Sequence, residues 1–213
     1  MSTLSDLRRE YASRALTEAD ADADPVRQFT LWFEEALKSQ LIDVNAMTLA
    51  SASRSGEPSA RIVLLKEADE NGFVFYTNYE SAKGRDLAEN PRACLLFFWS
   101  ELERQVRITG SVTRTSIEES DQYFHARPVE SQISACASPQ SRPIRDRAEL
   151  ETRYAEFAAK YKDQVVPLPS CWGGYRVRPD AMEFWQGRKS RLHDRLLYAR
   201  AADGSWSRKR LAP

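Results

Sequence analysis

The stretch from Ser59 to Asn78, S-A-R-I-V-L-L-K-E-A-D-E-N-G-F-V-F-Y-T-N, decides the fold. It holds two apolar runs rich in β-branched and aromatic residues, one at 59–66 and one at 73–78. The turn signal D-E-N-G, at 69–72, lies between them. Such runs joined by a short turn that ends in Asn-Gly are typical of an antiparallel hairpin. The sequence therefore predicts antiparallel β structure here.

Strand patterns continue on both sides of this hairpin and are interrupted by helical patterns. Further strands are predicted at 45–54, 92–100, 103–115, 174–178, 182–186, 192–200 and 206–211. Helices are predicted at 25–41 behind the cap Asp24-Pro25, at 81–89, at 117–126, after Pro128 and at 147–161. This order predicts an α+β fold, mainly antiparallel, with a barrel or sandwich decorated by helices. No three of the eight glycines form a G-x-G-x-x-G or P-loop motif, so side chains must hold any nucleotide phosphate.

The composition is that of an ordinary globular protein with balanced charge. The 213 residues include 31 Lys+Arg and 31 Asp+Glu, which argues against bulk binding to nucleic acid or to an acidic membrane surface. Residues 1–23 are polar and Ala/Asp-rich and are predicted to form a mobile arm, with a single domain at 24–213. The chain begins with charges where a signal peptide is apolar, and its longest apolar run, at 93–99, is too short to span a bilayer.

The three cysteines are an odd number and are widely spaced, with no C-x-x-C pair. A disulfide framework or a metal site is therefore not expected, and the reducing cytoplasm is the expected location. The cysteines are Cys94, Cys136 and Cys171.

The segment E-F-W-Q-G-R-K-S-R-L-H-D-R, at 183–195, concentrates positive charge near the end of the chain. Strand alternation from residue 191 onward would place Arg191, His193 and Arg195 on one face. Two guanidiniums around an imidazole suit a phosphate or carboxylate. A solvated edge strand, whose charges discourage aggregation, explains the same pattern equally well.

A second cluster lies in Y-F-H-A-R-P-V-E-S-Q, at 123–132. Tyr123 and Arg127 are four residues apart and share a helix face, and Pro128 predicts that this helix ends at Arg127. Ser131 would then lie in the first turn of the next helix, where free N–H groups favour an anion. The arrangement is typical of a phosphate site, although ordinary helix ends carry such residues too. His125 is predicted to be a packing or surface residue.

The strand R-I-V-L-L-K, at 61–66, has a cation at each end. Strict alternation puts Arg61 and Lys66 on opposite faces, so a bulge intervenes, or they serve different groups, or they approach a ligand along the strand edge. On the spacing alone, a strand with merely basic ends is the favoured interpretation. Gln105, on the strand at 103–115, could read a heteroaromatic edge through hydrogen bonds.

Together these segments resemble the pyridoxine (pyridoxamine) 5′-phosphate oxidases. The most specific string is E-F-W-Q-x4-R-L-H-D-R, and R-I-V-L-L-K, F-Y-T-N, L-E-R-Q-V, Y-F-H-x-R-P, S-Q-I and P-L-P-S-x-W-G-G-Y also occur in order. The resemblance covers nearly the whole chain. It implies a split β-barrel that works as a homodimer, with two FMN sites at the subunit interface.

The resemblance also implies roles for individual residues. Arg191 and His193 would be catalytic, and the segment from Arg8 to Tyr11 would close over the substrate. Substrate contacts would be Arg8, Tyr11, Lys66, Tyr123, Arg127, Ser131, Arg191 and His193. Flavin contacts would be Arg61, Ile62, Val63, Leu64, Leu65, Lys66, Tyr76, Thr77, Lys83, Gln105, Gln140, Ser141, Trp185 and Arg195.

The chain departs from the family pattern at two positions. Ala82 stands before Lys83 where the family often has arginine, which removes one cation directed at the FMN phosphate unless Arg85 substitutes for it. Cys136 stands where a tryptophan often follows S-Q-I-x-A.

The implied reaction is the oxidation of pyridoxine 5′-phosphate or pyridoxamine 5′-phosphate to pyridoxal 5′-phosphate. Hydride would pass from the substrate C4′ to flavin N5, and dioxygen would reoxidise the flavin and give hydrogen peroxide. Two alternatives remain open from the residues. One is a split-barrel protein that binds flavin or pyridoxal phosphate without oxidising anything, and the other is a flavin reductase with a nicotinamide donor.

Overall fold

The computed structural model describes residues 14–213, in which a single antiparallel sheet curls around a core. The strands follow the order β2-β1-β5-β6-β7-β4-β3, and β8 pairs with β7 and with β9. The prediction of a mainly antiparallel split barrel with peripheral helices is confirmed. The strands are β1 (Ala46–Ala52), β2 (Pro58–Leu64), β3 (Glu67–Asp69), β4 (Gly72–Asn78), β5 (Arg92–Trp99), β6 (Arg104–Arg114), β7 (Trp172–Gln186), β8 (Asp194–Arg200) and β9 (Trp206–Arg210).

In the described residues 14–213, five α-helices accompany the sheet, and most begin at a side-chain cap. Asp24 accepts from the backbone N–H groups of Val26 and Arg27, and Ser116 and Glu119 form a capping box. These bonds satisfy N–H groups that have no partner inside a helix. The helices are α1 (Pro25–Lys38), α2 (Ala82–Glu89), α3 (Ile117–Ala126), α4 (Val129–Ala137) and α5 (Arg147–Lys160).

The core consists of two clusters of buried apolar side chains. In the larger one, Phe29 of α1 packs edge-on against Phe73, with ring centroids 4.9 Å apart, and lies 5.1 Å from Phe97. The smaller cluster, which includes Phe124 and Trp172, lies beneath α3, α4 and α5. This smaller cluster packs α3, α4 and α5 against the start of β7.

The segment at 14–23 packs against the last two strands. Leu16 and Ala21 are buried, Arg208 donates to the carbonyls of Glu18 and Ala21, and Arg210 forms an ion pair with Glu18. Packing therefore extends N-terminal of the predicted domain start at residue 24. The predicted substrate contacts Arg8 and Tyr11 lie outside the described residues, and the mobile arm at 1–23 stays a prediction.

The two strands predicted at 174–178 and 182–186 are one continuous strand, so that prediction is wrong. Pro179 and Asp180 interrupt the apolar pattern, but the pairing with β6 shifts register between Thr109 and Gly110. A bulge of this kind lets a strand continue past a proline. Among residues 14–213, no helix is long and apolar enough to cross a membrane.

Candidate functional site

A cavity of about 300 Å³ opens where β2, β4, α2 and α3 meet. It gathers residues that are far apart in the sequence, from the first hairpin, the helical middle and the start of β7. Among them are Lys66, predicted to contact both the flavin and the substrate, and Arg127, predicted to contact the substrate. We call it the pocket; its lining is Ile62, Val63, Leu64, Lys66, Tyr76, Thr77, Lys83, Tyr123, Arg127, Gln140 and Trp172.

Strand β2 presents its edge to the pocket. Among the described strands it pairs only with β1, and three consecutive residues, 62–64, line the cavity. The strand ends at Leu64, so strict alternation does not extend to Lys66. Of the three interpretations that the spacing left open, approach along the strand edge fits this geometry. Leu65, by contrast, points into the core and is buried.

Arg127 is the most constrained cation of the pocket. As Pro128 predicted, the backbone leaves the helix at Arg127, with φ −80° and ψ 153°. One guanidinium nitrogen, Nη2, donates to the Ser131 carbonyl at 2.8 Å, while the buried Nη1 has no hydrogen-bond partner. Burial lowers the pKa of Arg127. A buried donor without an acceptor costs free energy, so the site is suited to an anion at Nη1.

Three parallel aromatic rings form one wall of the pocket. The ring centroids of Tyr76 and Tyr123 are 4.0 Å apart, and those of Tyr76 and Trp172 are 5.5 Å apart, with interplanar angles of 18° and 13°. The Arg127 guanidinium lies 4.7 Å from the Trp172 centroid, and Lys66 Nζ lies 5.8 Å from the Tyr123 centroid. Cations over aromatic faces are held by the ring quadrupole. The wall therefore orients both cations.

Trp172 is a pocket residue that the sequence reasoning missed. Its position in P-L-P-S-x-W-G-G-Y was visible, but an aromatic residue before a strand is more often part of a core. Gly174, two residues after Trp172, lets β7 approach this wall, because a Cβ there would lie 2.9 Å from the Tyr76 ring and closer still to the Thr115 side chain. A Trp-Gly-Gly run beside a predicted anion site is the signal that would have found it.

Lys83 lies at the other end of the pocket. Its Nζ donates to Gln140 Oε1 at 2.9 Å and to Thr77 Oγ1 at 3.2 Å. Burial lowers the pKa of Lys83, and the nearby Arg61 guanidinium lowers it further. Arg61 itself donates to Ser51 Oγ at 2.7 Å. Because burial and the Arg61 cation both disfavour the charge of Lys83, this end of the pocket is suited to a second anion.

The remaining predictions for this half of the site have mixed outcomes. Ser131 contributes its carbonyl to Arg127, and its side chain is not among the pocket lining. Ser141, in a left-handed conformation with φ 65°, follows the pocket residue Gln140. Arg85, the candidate substitute for the cation absent at Ala82, donates to the Glu80 carbonyl at 2.6 Å and does not line the pocket.

Gln105, Trp185 and Arg195 lie at the far end of the sheet. Gln105 pairs with Trp185 across β6 and β7, and Trp185 pairs with Arg195 across β7 and β8. Directly paired residues of an antiparallel ladder share a face, so these side chains form a row. The buried Glu183 accepts from Arg195 Nε at 2.9 Å and also from Arg107. Glu183 therefore fixes the guanidinium of Arg195.

The loop before β8 carries Arg191 and His193. The prediction that both share a strand face with Arg195 is wrong, because β8 begins at Asp194 and residues 189–191 form a 3₁₀ turn. Ser190 and Arg191 adopt φ of 56° and 60°, a conformation that costs non-glycine residues free energy. This turn reverses the chain without a glycine at the strained positions.

His193 lies between this turn and Trp185. Its ring centroid is 4.6 Å from that of Trp185, and its Nδ1 accepts from the Arg188 backbone N–H at 3.1 Å. Burial lowers the pKa of His193, and the Arg191 cation lowers it further. We call the residues 187–195, together with Gln105 and Trp185, the basic loop region. His125, predicted to be a packing or surface residue, is exposed, with ring nitrogens facing the carbonyls of Asp121 and Val166.

The pocket and the basic loop region open onto the same sheet face. Cross-strand pairing aligns Ile62, Thr48, Leu96, Arg107 and Glu183 in one row across β2, β1, β5, β6 and β7. Four strand spacings separate the ends of this row, roughly 19 Å along the sheet at about 4.8 Å each. No described residue of the basic loop region lines the pocket. Within one chain the two groups are therefore separate.

Comparisons with known proteins match almost all of this chain. Residues 33–161 match the family model "Pyridoxamine 5′-phosphate oxidase", and residues 172–213 match "Pyridoxine 5′-phosphate oxidase C-terminal dimerisation region". The pyridoxine/pyridoxamine 5′-phosphate oxidase of Paraburkholderia phymatum is 58% identical over 213 residues, 100% of both chains. That of Rubrobacter xylanophilus is 59% identical over 210 residues, 99% of this chain and 96% of the relative.

Solved structures give the same picture of the fold. PhzG from Burkholderia lata, in complex with tetrahydrophenazine-1-carboxylic acid, superposes with a TM-score of 0.89 at 31% identity, covering 95% of this chain and 99% of that chain. A pyridoxamine 5′-phosphate oxidase-related, FMN-binding protein from Nostoc punctiforme has a TM-score of 0.70 at 16% identity, covering 89% and 98%. The second likeness concerns the fold alone.

Proposed function

Because the chain belongs to the pyridoxine/pyridoxamine 5′-phosphate oxidase family of oxidoreductases, we propose that it oxidises the 5′-phosphates of pyridoxine and pyridoxamine to pyridoxal 5′-phosphate. FMN is the proposed cofactor and dioxygen the proposed acceptor. The observation that carries the proposal is the buried, unpaired Nη1 of Arg127 in a pocket walled by stacked aromatic rings.

The phosphate of the B6 vitamer is the anion that this end of the pocket fits. Arg127 offers a free guanidinium nitrogen, and Lys66 adds a second cation that lies over the Tyr123 ring. Ser131, in the first turn of α4, stays a proposed contact through the N-terminus of that helix. A phosphate fixed there orients the pyridine ring, so its binding free energy is converted into position.

The other end of the pocket fits FMN. Lys83 and Arg61 supply positive charge for the flavin phosphate, and Thr77 and Gln140 supply polar groups beside Lys83. The open edge of β2 offers backbone groups at 62–64. When bound, FMN supplies the acceptor for the hydride of the vitamer and passes two electrons to dioxygen, forming hydrogen peroxide.

The basic loop region is proposed to meet the reacting end of the substrate. Arg191 would orient the reacting group and stabilise its charge, and His193 would position it through a hydrogen bond. Trp185, Gln105 and Arg195 would contact the flavin. Such roles need side chains fixed in advance, and Glu183 does this for Arg195 while Trp185 packs on His193.

A homodimer would bring the two regions together. The sheet face between them carries exposed apolar side chains, including Ile62 at 65% and Phe98 at 56% exposure. They line a second cavity of about 570 Å³, and Ile62 lines the pocket as well. A copy covering this face by two-fold symmetry would set the basic loop region of one chain against the pocket of the other. The match of residues 172–213 to a dimerisation region supports this arrangement.

The test is the visible spectrum of the purified protein under anaerobic conditions. We expect an oxidised flavin spectrum that bleaches when pyridoxine 5′-phosphate is added and returns when air is admitted. Unphosphorylated pyridoxine is the matched control, and it should bleach the flavin far more slowly because the phosphate contacts are absent. Bound flavin that neither phosphorylated vitamer reduces would contradict the proposal, and reduction by NAD(P)H alone would identify a flavin reductase.

A further inference from the structure

The two histidines of this chain have opposite hydrogen-bond surroundings. In His125, Nδ1 faces the Asp121 carbonyl at 3.0 Å and Nε2 faces the Val166 carbonyl at 3.0 Å. Both nitrogens of that ring therefore have acceptors beside them. In His193, Nδ1 faces the backbone N–H of Arg188 at 3.1 Å. An N–H group can only donate, so Nδ1 of His193 must present a lone pair.

We propose that the Arg188 backbone N–H fixes His193 as the neutral Nε2–H tautomer, so that His193 donates a hydrogen bond to an oxygen of the substrate and does not act as the general base. This inference rests on the proposed function for the identity of the substrate. The tautomer assignment depends only on the hydrogen bond from the Arg188 backbone N–H and not on the substrate.

The first step of the argument concerns the neutral ring. A neutral imidazole carries one proton, and a lone pair held on Nδ1 leaves that proton on Nε2. To accept a proton at Nε2, the ring would have to carry its existing proton on Nδ1, directly against the Arg188 N–H. That rearrangement would break the 3.1 Å bond and bring two donors together.

The second step concerns the charged ring, which is disfavoured for the same reason. An imidazolium needs acceptors at both nitrogens, and Nδ1 of His193 faces a donor. The cation of Arg191 lies in the same loop and, after burial, is the second cause that lowers the pKa of His193. Asp194 is the neighbouring carboxylate, and it forms ion pairs with Arg210 at 2.8 Å and with Arg188 at 3.6 Å.

The third step concerns the reaction. Oxidation of the alcohol removes a hydride from carbon and a proton from oxygen. With the Nε2 proton already in place, His193 would stabilise negative charge on the substrate oxygen while the hydroxyl proton passes to water and the hydride passes to the proposed flavin acceptor. His193 is therefore a donor throughout the reaction.

The tautomer is measured directly by long-range ¹H–¹⁵N NMR on full-length protein labelled with ¹⁵N-histidine. Only two imidazoles contribute, and a His125→Asn variant assigns the remaining signals to His193. We expect a protonated Nε2 and an unprotonated Nδ1 for His193 at pH 7. A protonated Nδ1, as neutral tautomer or as imidazolium, would overturn the proposal. This result does not depend on which substrate the protein oxidises.

Activity variants separate a donor from a base. Glutamine can place an amide N–H near the position of Nε2 but cannot take up a proton, whereas alanine offers neither. We expect His193→Gln to keep kcat within about tenfold of the parent and to keep its pH profile, with His193→Ala lower by a further factor of about ten. If glutamine is as slow as alanine and the acidic limb of kcat disappears in both, His193 is the base. An unaltered protein that oxidises neither vitamer would instead refute the proposed function.

Discussion

The pocket and the basic loop region differ in how completely one chain builds them. In the pocket, the rings of Tyr76, Tyr123 and Trp172 are stacked, and the guanidinium of Arg127 is fixed against them. In the basic loop region, Arg191 is exposed on a strained turn. The pocket is therefore suited to the phosphate that we propose it holds. The loop lies at a different place on the same chain, so the proposed reaction requires the loop of a second copy.

The most severe test of this comparison is complementation between two inactive variants. Arg127→Met removes the proposed phosphate contact from the pocket, and Arg191→Met removes the proposed contact with the reacting group from the loop. If each site combines the pocket of one chain with the loop of the other, a purified heterodimer of these variants has one intact site and one doubly altered site. We expect the heterodimer to recover about half of the parent activity per dimer, while each homodimer is nearly inactive. Steady-state oxidation by tag-purified heterodimers measures this at substrate concentrations near the KM of the parent, where a raised KM in Arg127→Met abolishes most of the rate.

A matched heterodimer provides the control for complementation. Pairing Lys66→Met with Arg127→Met places both changes in pockets, so no intact site forms and no activity should return. No recovery in the first pair despite a stable dimer would mean that pocket and loop act within one chain. Recovery in the control would mean that Lys66 and Arg127 belong to different sites.

The second prediction concerns the pocket alone. Arg127→Met should raise the KM for pyridoxine 5′-phosphate by roughly 30- to 150-fold, because a charge-assisted hydrogen bond contributes about 2–3 kcal/mol. The FMN Kd should change little, since the proposed FMN contact Lys83 is held by Thr77 and Gln140 and not by Arg127 or its partners. Steady-state kinetics and flavin titration on the same preparation separate the two quantities.

Arg127→Lys is the conservative control for this substitution. It keeps a cation but loses the planar fork that contacts both Ser131 and the anion, so we expect an intermediate KM. A methionine variant that loses FMN as readily as substrate would contradict the division of the pocket into two ends.

The pocket was easier to predict from the sequence than the loop. The spacing of Tyr123 and Arg127 and the proline after them are local signals, and α3 ends where they indicate. Alternation failed for Arg191 and His193 because Ser190 and Arg191 adopt left-handed conformations, for which the sequence offers no glycine signal. Local preference cannot reveal a turn that tertiary packing imposes.

The fold shows the same division between local and non-local information. The turn at 69–72 and the capped helices follow from turn and cap residues, but the hairpin joins β3 to β4, and the run at 59–64 pairs with β1 and not with β4. The continuity of β7 past Pro179 depends on a bulge against Gly110 of β6, a partner almost seventy residues away in the sequence. Trp172 was missed for a related reason, because its role follows from contacts with Tyr76, Tyr123 and Arg127 that no spacing reveals.

The third prediction concerns the basic loop region alone. Glu183→Gln should weaken FMN binding by about tenfold, because the amide holds Arg195 and Arg107 less firmly than the carboxylate does. The KM for substrate in FMN-saturated protein should rise much less. Flavin titration followed by kinetics at saturating FMN measures both.

Glu183→Asp is the control, because it keeps the charge but shortens the side chain. Its FMN affinity should lie between that of the glutamine variant and that of the parent. Equal losses of flavin and substrate affinity would indicate general disruption of the sheet.

The last prediction uses pH to separate the two regions. Burial, and then the Arg61 cation, lower the pKa of Lys83, so in the free pocket Lys83 loses its proton at a lower pH than an exposed lysine does. The phosphate of FMN, already a dianion above a pKa of about 6, favours charged Lys83, so binding takes up a proton once Lys83 is neutral. The FMN Kd should therefore rise with alkaline pH, by at most about tenfold per pH unit.

Arginine stays charged in this range, so Lys83→Arg should flatten the pH profile of the FMN Kd, whereas Arg195→Lys on the loop should leave the alkaline rise in place. Flavin fluorescence titrations between pH 7 and 10 measure the slope, and an equal slope in the Lys83→Arg variant would place the titrating group elsewhere.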